Sequence, residues 1–352
     1  MKRLRKFVTQ AISCADPYYQ VKCIDRQKLK EYRETQEFKP LSAESKRKIN
    51  ELWGRNSEWF EFYNTIGDRE RVHLYFPHLW FHIYVDSKLN QWSLCAALDD
   101  KCLYDYLFYD VRRPKTVVRI CRGQYVNEQG RLISLADAVA ACKAVGSVII
   151  KPSYGSSAGK GIVFWREGSD IDIEKVLRDS RDDIVQELIT QHPSISQIHA
   201  ESVNTVRIMT MTTEKGVEKL SAIIRLGVGK SKVDNFCQGG IAVGIDDNGK
   251  LKDKGYDAAG RCYDKHPDGA DFRGVTVPGF QKCLAICQAT APRFMRYSRL
   301  TSWDFSTGAD GEPILVEVNL CYGGLSFHQL CNGPIFGNEE NTRKMIKQFY
   351  KR

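Results

Sequence analysis

Apolar positions in the first hundred residues recur at helical spacing. Within residues 46–63, Ile49, Leu52, Trp53, Trp59, Phe60 and Tyr63 fall close to one stripe and predict a helix. Residues 74–89 are dense in aromatics, with Tyr75, Phe76, Trp80, Phe81 and Tyr84. They read as packing surface and not as a base-stacking platform, because basic and aromatic residues do not alternate there on one strand face. From about residue 100 the pattern changes to short apolar runs between turn residues. Helices are predicted over 100–108, 135–145, 171–177, 280–297 and 339–350. Strands are predicted over 117–122, 124–126, 147–151, 161–165, 183–188, 203–212, 219–228, 241–245, 300–306 and 313–318. The turn Gly308-Ala309-Asp310-Gly311 predicts that the last two form a hairpin. There is no internal repeat and no low-complexity segment. The class is α+β.

A chain of 352 residues, 42% hydrophobic and 27% charged, has material for a sizeable core and exceeds the usual size of one compact domain. No apolar run approaches the length needed to span a membrane. The net charge of +9 suits an anionic partner such as a nucleotide or sugar phosphate, with plain solubility as the alternative. Basic residues are spread along the chain, which argues against nucleic acid as a partner. Residues 1–6 form a basic segment able to touch an anionic membrane surface, although a solvated terminus is the simpler reading. The 12 cysteines make no zinc pattern. Cys283 and Cys287, one helical turn apart, fit a core face, and the scatter reads as reduced thiols in a cytoplasmic protein.

One loop carries chemistry. Ile149-Ile150-Lys151-Pro152 runs as a strand into Ser153, Tyr154, Gly155, Ser156, Ser157, Ala158, Gly159, Lys160 and Gly161, and a second strand leaves. Glycines let backbone N–H groups approach phosphate oxygens, and hydroxyls add donors. Lys151 at the strand end puts a point charge on a phosphate. The loop is not a P-loop: Gly155 and Gly159 are one residue too close, and Gly161 stands where Ser or Thr would hold magnesium. The following element is a strand, so the helix-dipole anion site of P-loop and dinucleotide motifs is missing. A hairpin loop without a ligand is the alternative.

A second constellation lies near the C-terminus, in Trp303-Asp304-Phe305 and Leu315-Val316-Glu317-Val318-Asn319. Strand alternation puts Glu317 and Asn319 on one face and sends Val316 and Val318 the other way, into a core. Hairpin pairing brings Asp304 close to Glu317. Two carboxylates and an amide oxygen are hard donors suited to Mg2+ carrying phosphates. The alternative is a solvated strand face.

With these residues in view, the chain resembles the ATP-grasp superfamily. Lys151-Pro152 with Gly155-Ser156-Ser157-Ala158-Gly159 is similar to the lysine and flap loop of D-alanine–D-alanine ligase relatives. Asp100-Lys101 is similar to their earlier lysine, and Gln186-Glu187-Leu188-Ile189 to the hinge strand that receives adenine and ribose. Asp304, Glu317 and Asn319 match the magnesium triad. More narrowly, residues 97–101, Ser202-Val203-Asn204-Thr205-Val206-Arg207, and Val233-Asp234-Asn235 through Gly239-Gly240 resemble the sugar-transfer-associated ATP-grasp family of bacterial surface-polysaccharide clusters. The resemblance covers roughly residues 70–340 and implies an ATP-grasp fold, two α+β subdomains clasping ATP. Their expected bounds are 96–190 for the lysines, flap and hinge, and 191–352 for the magnesium and acceptor side. Residues 1–95, helical and aromatic-rich, depart from the family's usual preceding α/β domain, so substrate binding does not carry over from it.

The implied activity is a Mg-ATP-dependent ligation of a carboxylate to an amine or thiol through an acyl phosphate, with Mn2+ as a substitute metal. The acid and amine are small molecules, with sugar-linked ones among the candidates. Lys101, Lys151 and the metal neutralise the phosphoryl group, and Arg225, with Arg207 as second candidate, stabilises transferred phosphate or the tetrahedral intermediate. A surface ion pair is the alternative for each arginine. Substrate contacts are expected from Asp234, Asn235, Gly240 and the segment 322–328 with Gly323 and His328, and His266 is a candidate near the acceptor, though a solvated loop histidine is the plainer reading. A small-molecule kinase on the same fold and a non-catalytic nucleotide-binding protein remain as alternatives.

Overall fold

The computed structural model describes residues 17–66, 68–155 and 161–350. Ser156, Ser157 and Gly159 of the flap, and the basic residues 1–6, lie outside the described residues.

The N-terminal region is helical: α1 (Pro17–Thr35), α2 (Ala43–Trp53) and α3 (Glu58–Thr65). The single helix predicted over 46–63 is two, because Gly54 takes a left-handed φ of 68° and its N–H closes α2 on the Asn50 carbonyl. The Ser57 side chain then accepts from the Trp59 N–H and starts α3. Short helical turns follow, including a π-helical segment, Phe81–Asp86, and then α4 (Trp92–Leu98). Trp53, Phe60, Tyr63, Phe76 and Phe81 are buried in a core shared with Met209, Ile223, Leu325 and Phe336 from the far half of the chain. The aromatic segment is packing surface, as its composition predicts.

The middle of the chain builds a six-stranded antiparallel sheet from β1 (Thr116–Cys121), β2 (Gln124–Asn127), β3 (Leu132–Ile133), β4 (Ser147–Pro152), β5 (Val163–Arg166) and β6 (Asp182–Glu187), in the order β3-β2-β1-β6-β4-β5. Two helices, α5 (Leu135–Val145) and α6 (Ile173–Asp179), supply the apolar cover for one core with Val118, Ile120, Val148 and Val185. A capping box between Ser134 and Asp137 starts α5.

The second sheet has seven antiparallel strands: β7 (Thr205–Thr213), β8 (Gly216–Leu226), β9 (Ile241–Ile245), β10 (Leu251–Asp257), β11 (Cys262–Tyr263), β12 (Leu300–Thr307) and β13 (Pro313–Asn319), ordered β11-β10-β9-β8-β7-β12-β13. β7, β9 and β12 are buried almost throughout. One face carries the N-terminal aromatics with α8 (Leu325–Asn332) and α9 (Glu339–Phe349); the other carries α7 (Phe280–Thr290). The helix predicted over 280–297 ends at Thr290, where Pro292 turns the chain into a 3-10 segment. Cys283 and Cys287 lie in the core beneath α7.

Among the described residues no helix is long and apolar enough to cross a membrane.

Candidate active site

The site begins with the β12–β13 hairpin. Its register puts Asp304 opposite Glu317 and Ser302 opposite Asn319, as the alternation predicts. A bulge between these pairs and Phe305↔Leu315 leaves Val316 as the extra residue. Val318 is buried as expected, but the bulge turns Val316 out of the core and onto the wall of a cavity. β13 is an edge strand, and the Tyr104 hydroxyl covers its free groups by accepting from the Val318 N–H at 3.1 Å and donating to the Val318 carbonyl at 3.2 Å.

That cavity, about 500 Å³, opens between the two sheets. Lys101 and Lys151 enter it from the six-stranded side. Asp100 accepts from the Cys102 N–H and shapes the turn carrying Lys101, whose backbone N–H is held by the Ser153 carbonyl at 2.8 Å. Lys101 Nζ is 2.8 Å from Glu317 Oε1. Burial works against the charge of Lys101, but Glu317 overcomes it and holds the ammonium above its ordinary pKa. The same pair holds Glu317 below the usual carboxylate range, against burial. Lys151, at the end of β4, has no such partner among the described residues. Burial, helped by the Lys101 charge, pushes it down to about 8.

Gln186, Glu187, Leu188 and Ile189, the segment expected as the hinge, line the cavity together. Gln186 is buried, its Oε1 has no partner among the described residues, and its Nε2 donates to the Pro114 carbonyl at 3.3 Å. Glu187 is 3.5 Å from Lys115. Gly155, with φ of 66°, is exposed and does not line the cavity.

The arginines form a different device from a surface ion pair. Arg207 donates from Nε and Nη2 to the two oxygens of Asp304, both at 2.7 Å, and Arg225 adds a third contact from Nη2 at 3.0 Å. Asp304 is fully buried and absent from the cavity wall, whereas Arg207, Arg225, Glu317 and Asn319 are on it. Burial alone would raise the Asp304 pKa, and the two guanidinium groups bring it below the ordinary value. The expected triad therefore divides. Glu317 and Asn319 present oxygens to the cavity and fit as direct metal donors; Asp304 is saturated by guanidinium and fits as the anchor of Arg207 and Arg225. Asn319 turns its Nδ2 toward Asp304 Oδ2, at 3.4 Å, which leaves its oxygen for the cavity.

Asp234 and Asn235 also line the cavity. Asp234 accepts from the Thr205 N–H at 3.0 Å and from the Thr205 hydroxyl, and lies 3.6 Å from Arg225 Nε. Four expected substrate residues are placed elsewhere. A Cβ on Gly240 would lie 2.9 Å from the Asn235, Asp234 and Leu226 carbonyls, so this glycine serves a close backbone approach. A Cβ on Gly323 would lie 2.3 Å from Ser302 Oγ. His266 is buried, not solvated, and is not on the cavity wall: Nε2 donates to the Gly227 carbonyl at 2.8 Å and Nδ1 accepts from the Asp268 N–H at 3.1 Å. His199, His266 and Asp268 are clustered closely enough to hold a metal, but both His266 nitrogens are spent on the backbone. His328 is buried on Ser221 Oγ at 2.9 Å, with its pKa pushed down to about 3 by burial and by Arg207.

Residues 1–95, given no site residues by sequence reasoning, supply part of the cavity wall. Val21, Ile24 and Lys28 of α1, with His78 and His82, face it. The available signal was the four-residue spacing of His78, His82 and Asp86, which the aromatic density of the segment hid.

Comparisons with known proteins follow this geometry. No curated protein matches the chain. Similar solved structures include an ADP complex of purK, N5-carboxyaminoimidazole ribonucleotide synthetase, at 14% identity and TM-score 0.39, covering 64% of this chain and 45% of that one. D-cycloserine synthetase DcsG is 16% identical with TM-score 0.42, covering 72% of this chain and 71% of that one. The ATP-grasp ligase PsnB, complexed with minimal precursor, is 15% identical with TM-score 0.41, covering 72% and 61%. This chain thus spans less than half the length of the first and under two thirds of the third. The family model for sugar-transfer associated ATP-grasp proteins matches residues 82–344, well over half of the chain, and the chain belongs to that family.

Proposed function

We propose that this protein is a Mg-ATP-dependent ligase that joins a small-molecule carboxylate to an amine (or thiol) through an acyl phosphate, acting on surface-polysaccharide components. The observation that carries the reading is the convergence of Lys101, Lys151, Arg207 and Arg225 with Glu317 and Asn319 on one cavity of about 500 Å³. Four cations beside two oxygen donors suit a polyanionic phosphate chain with a hard metal. The family name supports the sugar context.

Each residue has a definite task in this reading. The segment 186–189 receives the adenine and ribose, and Val316, turned into the cavity by its bulge, adds an apolar face to the wall. Lys151 and Lys101 hold phosphate oxygens. Glu317 and Asn319 would hold Mg2+, which supplies charge neutralisation on the phosphates when bound. To ligate it, Glu317 shares its carboxylate with Lys101. Arg207 and Arg225, locked on Asp304, present fixed positive charge where the transferred phosphate and the oxyanion develop, with no reorganisation at the moment of reaction. Asp234 holds Arg225 from the other side.

The test is incubation of full-length protein with Mg-ATP, hydroxylamine and a panel of amino acids and hexuronic acids. The expected product is a hydroxamate with ADP. A stable phosphate ester instead would replace this reading with that of a small-molecule kinase.

A further inference from the structure

We propose that His82 takes the proton from the attacking nitrogen of the acceptor, with Asp86 fixing its tautomer; this rests on the ligase reading above. His82 lies in the π-helical segment, a distortion frequent at functional sites. Its Nδ1 is 2.8 Å from Asp86 Oδ2. Asp86 is fully buried and its oxygens also accept from the side-chain N–H of Asn90 at 2.8 Å, the indole N–H of Trp92 at 3.1 Å and the backbone N–H of Tyr322 at 3.2 Å. A carboxylate so surrounded by donors offers His82 only lone pairs. In the neutral imidazole, Nδ1 therefore carries the proton and Nε2 the lone pair.

His82 is 2% exposed and lines the cavity, and its Nε2 makes no hydrogen bond among the described residues. An acceptor N–H entering the cavity would find that nitrogen free to accept it. The dyad is also tied to the reacting centre. Tyr322, bonded through its N–H to Asp86, stands three residues beyond Asn319, and its ring centroid is 5.6 Å from that of His82. The other ionisable groups around His82 are His78, at 4.6 Å between ring centroids, Asp25, 3.4 Å from His78 Nδ1, and Lys28 of α1. Burial holds His78 uncharged, so that ring adds no fixed positive charge beside His82.

The step balances as follows. The acceptor ammonium gives one proton to His82 Nε2. The freed lone pair attacks the carbonyl carbon of the acyl phosphate and the C–N bond forms. The C–O bond to phosphate breaks, phosphate leaves with the bonding pair, and it takes the second N–H proton.

The experiment uses the full chain and His82→Asn, whose amide N–H can still donate to Asp86 while no basic lone pair replaces Nε2. Both proteins receive Mg-ATP, the acid panel, and either amino acids as ammonium acceptors or hydroxylamine, which is largely uncharged at pH near 7.5 and needs no base. Amide formation is expected to fall about 100-fold or more in the variant, and hydroxamate formation far less. Equal losses in both reactions would make His82 merely structural, and undiminished amide synthesis would remove its role; either overturns the proposal. Nitrogen-15 spectra of histidine-labelled protein provide a readout that needs no substrate. They are expected to show Nδ1 protonated and Nε2 bare at His82, and the opposite tautomer would overturn the assignment. Absence of both hydroxamate and amide from wild-type protein would strike the ligase reading itself, while the tautomer still judges the dyad.

Discussion

Lys151 offers a prediction whose size follows from its surroundings. Burial and the neighbouring Lys101 bring its ammonium from an ordinary 10.5 down to about 8, while Lys101 stays charged on Glu317. Nucleotide phosphates would favour the protonated form, so binding should draw a proton onto Lys151 wherever the free protein has lost it. At pH 9 only about one site in ten remains protonated, so affinity should fall about tenfold from pH 7, or about 1.4 kcal/mol. Calorimetric titration of Mg-ADP at pH 7, 8 and 9, in buffers of different ionisation heat, would give both the affinity and the proton uptake. Lys151→Met should bind more weakly and lose this dependence. The same group affects the free protein. Between about 8 and 10.5 the unfolded lysine holds a proton that the folded one has released, so stability should rise with pH through that window and be flat below it. The full contribution is about 3 kcal/mol. Affinity that is level from pH 7 to 9, or an unchanged slope in Lys151→Met, would refute the argument.

Glu317→Gln removes a metal donor and the partner of Lys101. The stabilisation by Mg-ATP, about 2.7 kcal/mol at a hundredfold excess over Kd, should largely vanish in thermal unfolding, and a full shift in the variant would refute the metal assignment. Asp304→Asn leaves Arg207 and Arg225 without their buried counter-charge and should cost about 3–5 kcal/mol in urea unfolding; a loss under about 1 kcal/mol would show that the clamp is unimportant. Gly240→Ala pushes a methyl against three backbone carbonyls, which cannot step aside as a side-chain end can. It should destabilise by about 1–3 kcal/mol and weaken substrate binding through the displaced Asp234 loop, and wild-type stability would contradict the close approach.

Local pattern was a good guide wherever the decisive interaction is short in sequence. β9 was legible to the residue because its apolar run is bounded by glycines and aspartates, and the β12–β13 hairpin because its turn is. Lys151, Glu317 and Asn319 stood out by residue type and spacing, Lys101 and the segment 186–189 only through the resemblance, and all of them line one cavity. Local breaks were harder to read. The split at Gly54 needed the left-handed φ that only the following chain direction demands, and the outward turn of Val316 needed a bulge that no alternation rule contains.

By itself the sequence determined the α+β class, the aromatic N-terminal packing surface and a phosphate-directed chemistry, because side-chain periodicity and the spacing of lysines, glycines and carboxylates are local properties of the chain. Only the tertiary structure decided how those groups are used. Asp304 became the anchor of two arginines because β7 and β8 bring Arg207 and Arg225 beside β12 across about a hundred residues of chain. His82 reached the cavity because Asp86 and Trp92 fold onto Tyr322, more than two hundred residues away. Charge pairing and burial at such separations depend on which faces the sheets present to each other, and no window of neighbouring residues contains that information.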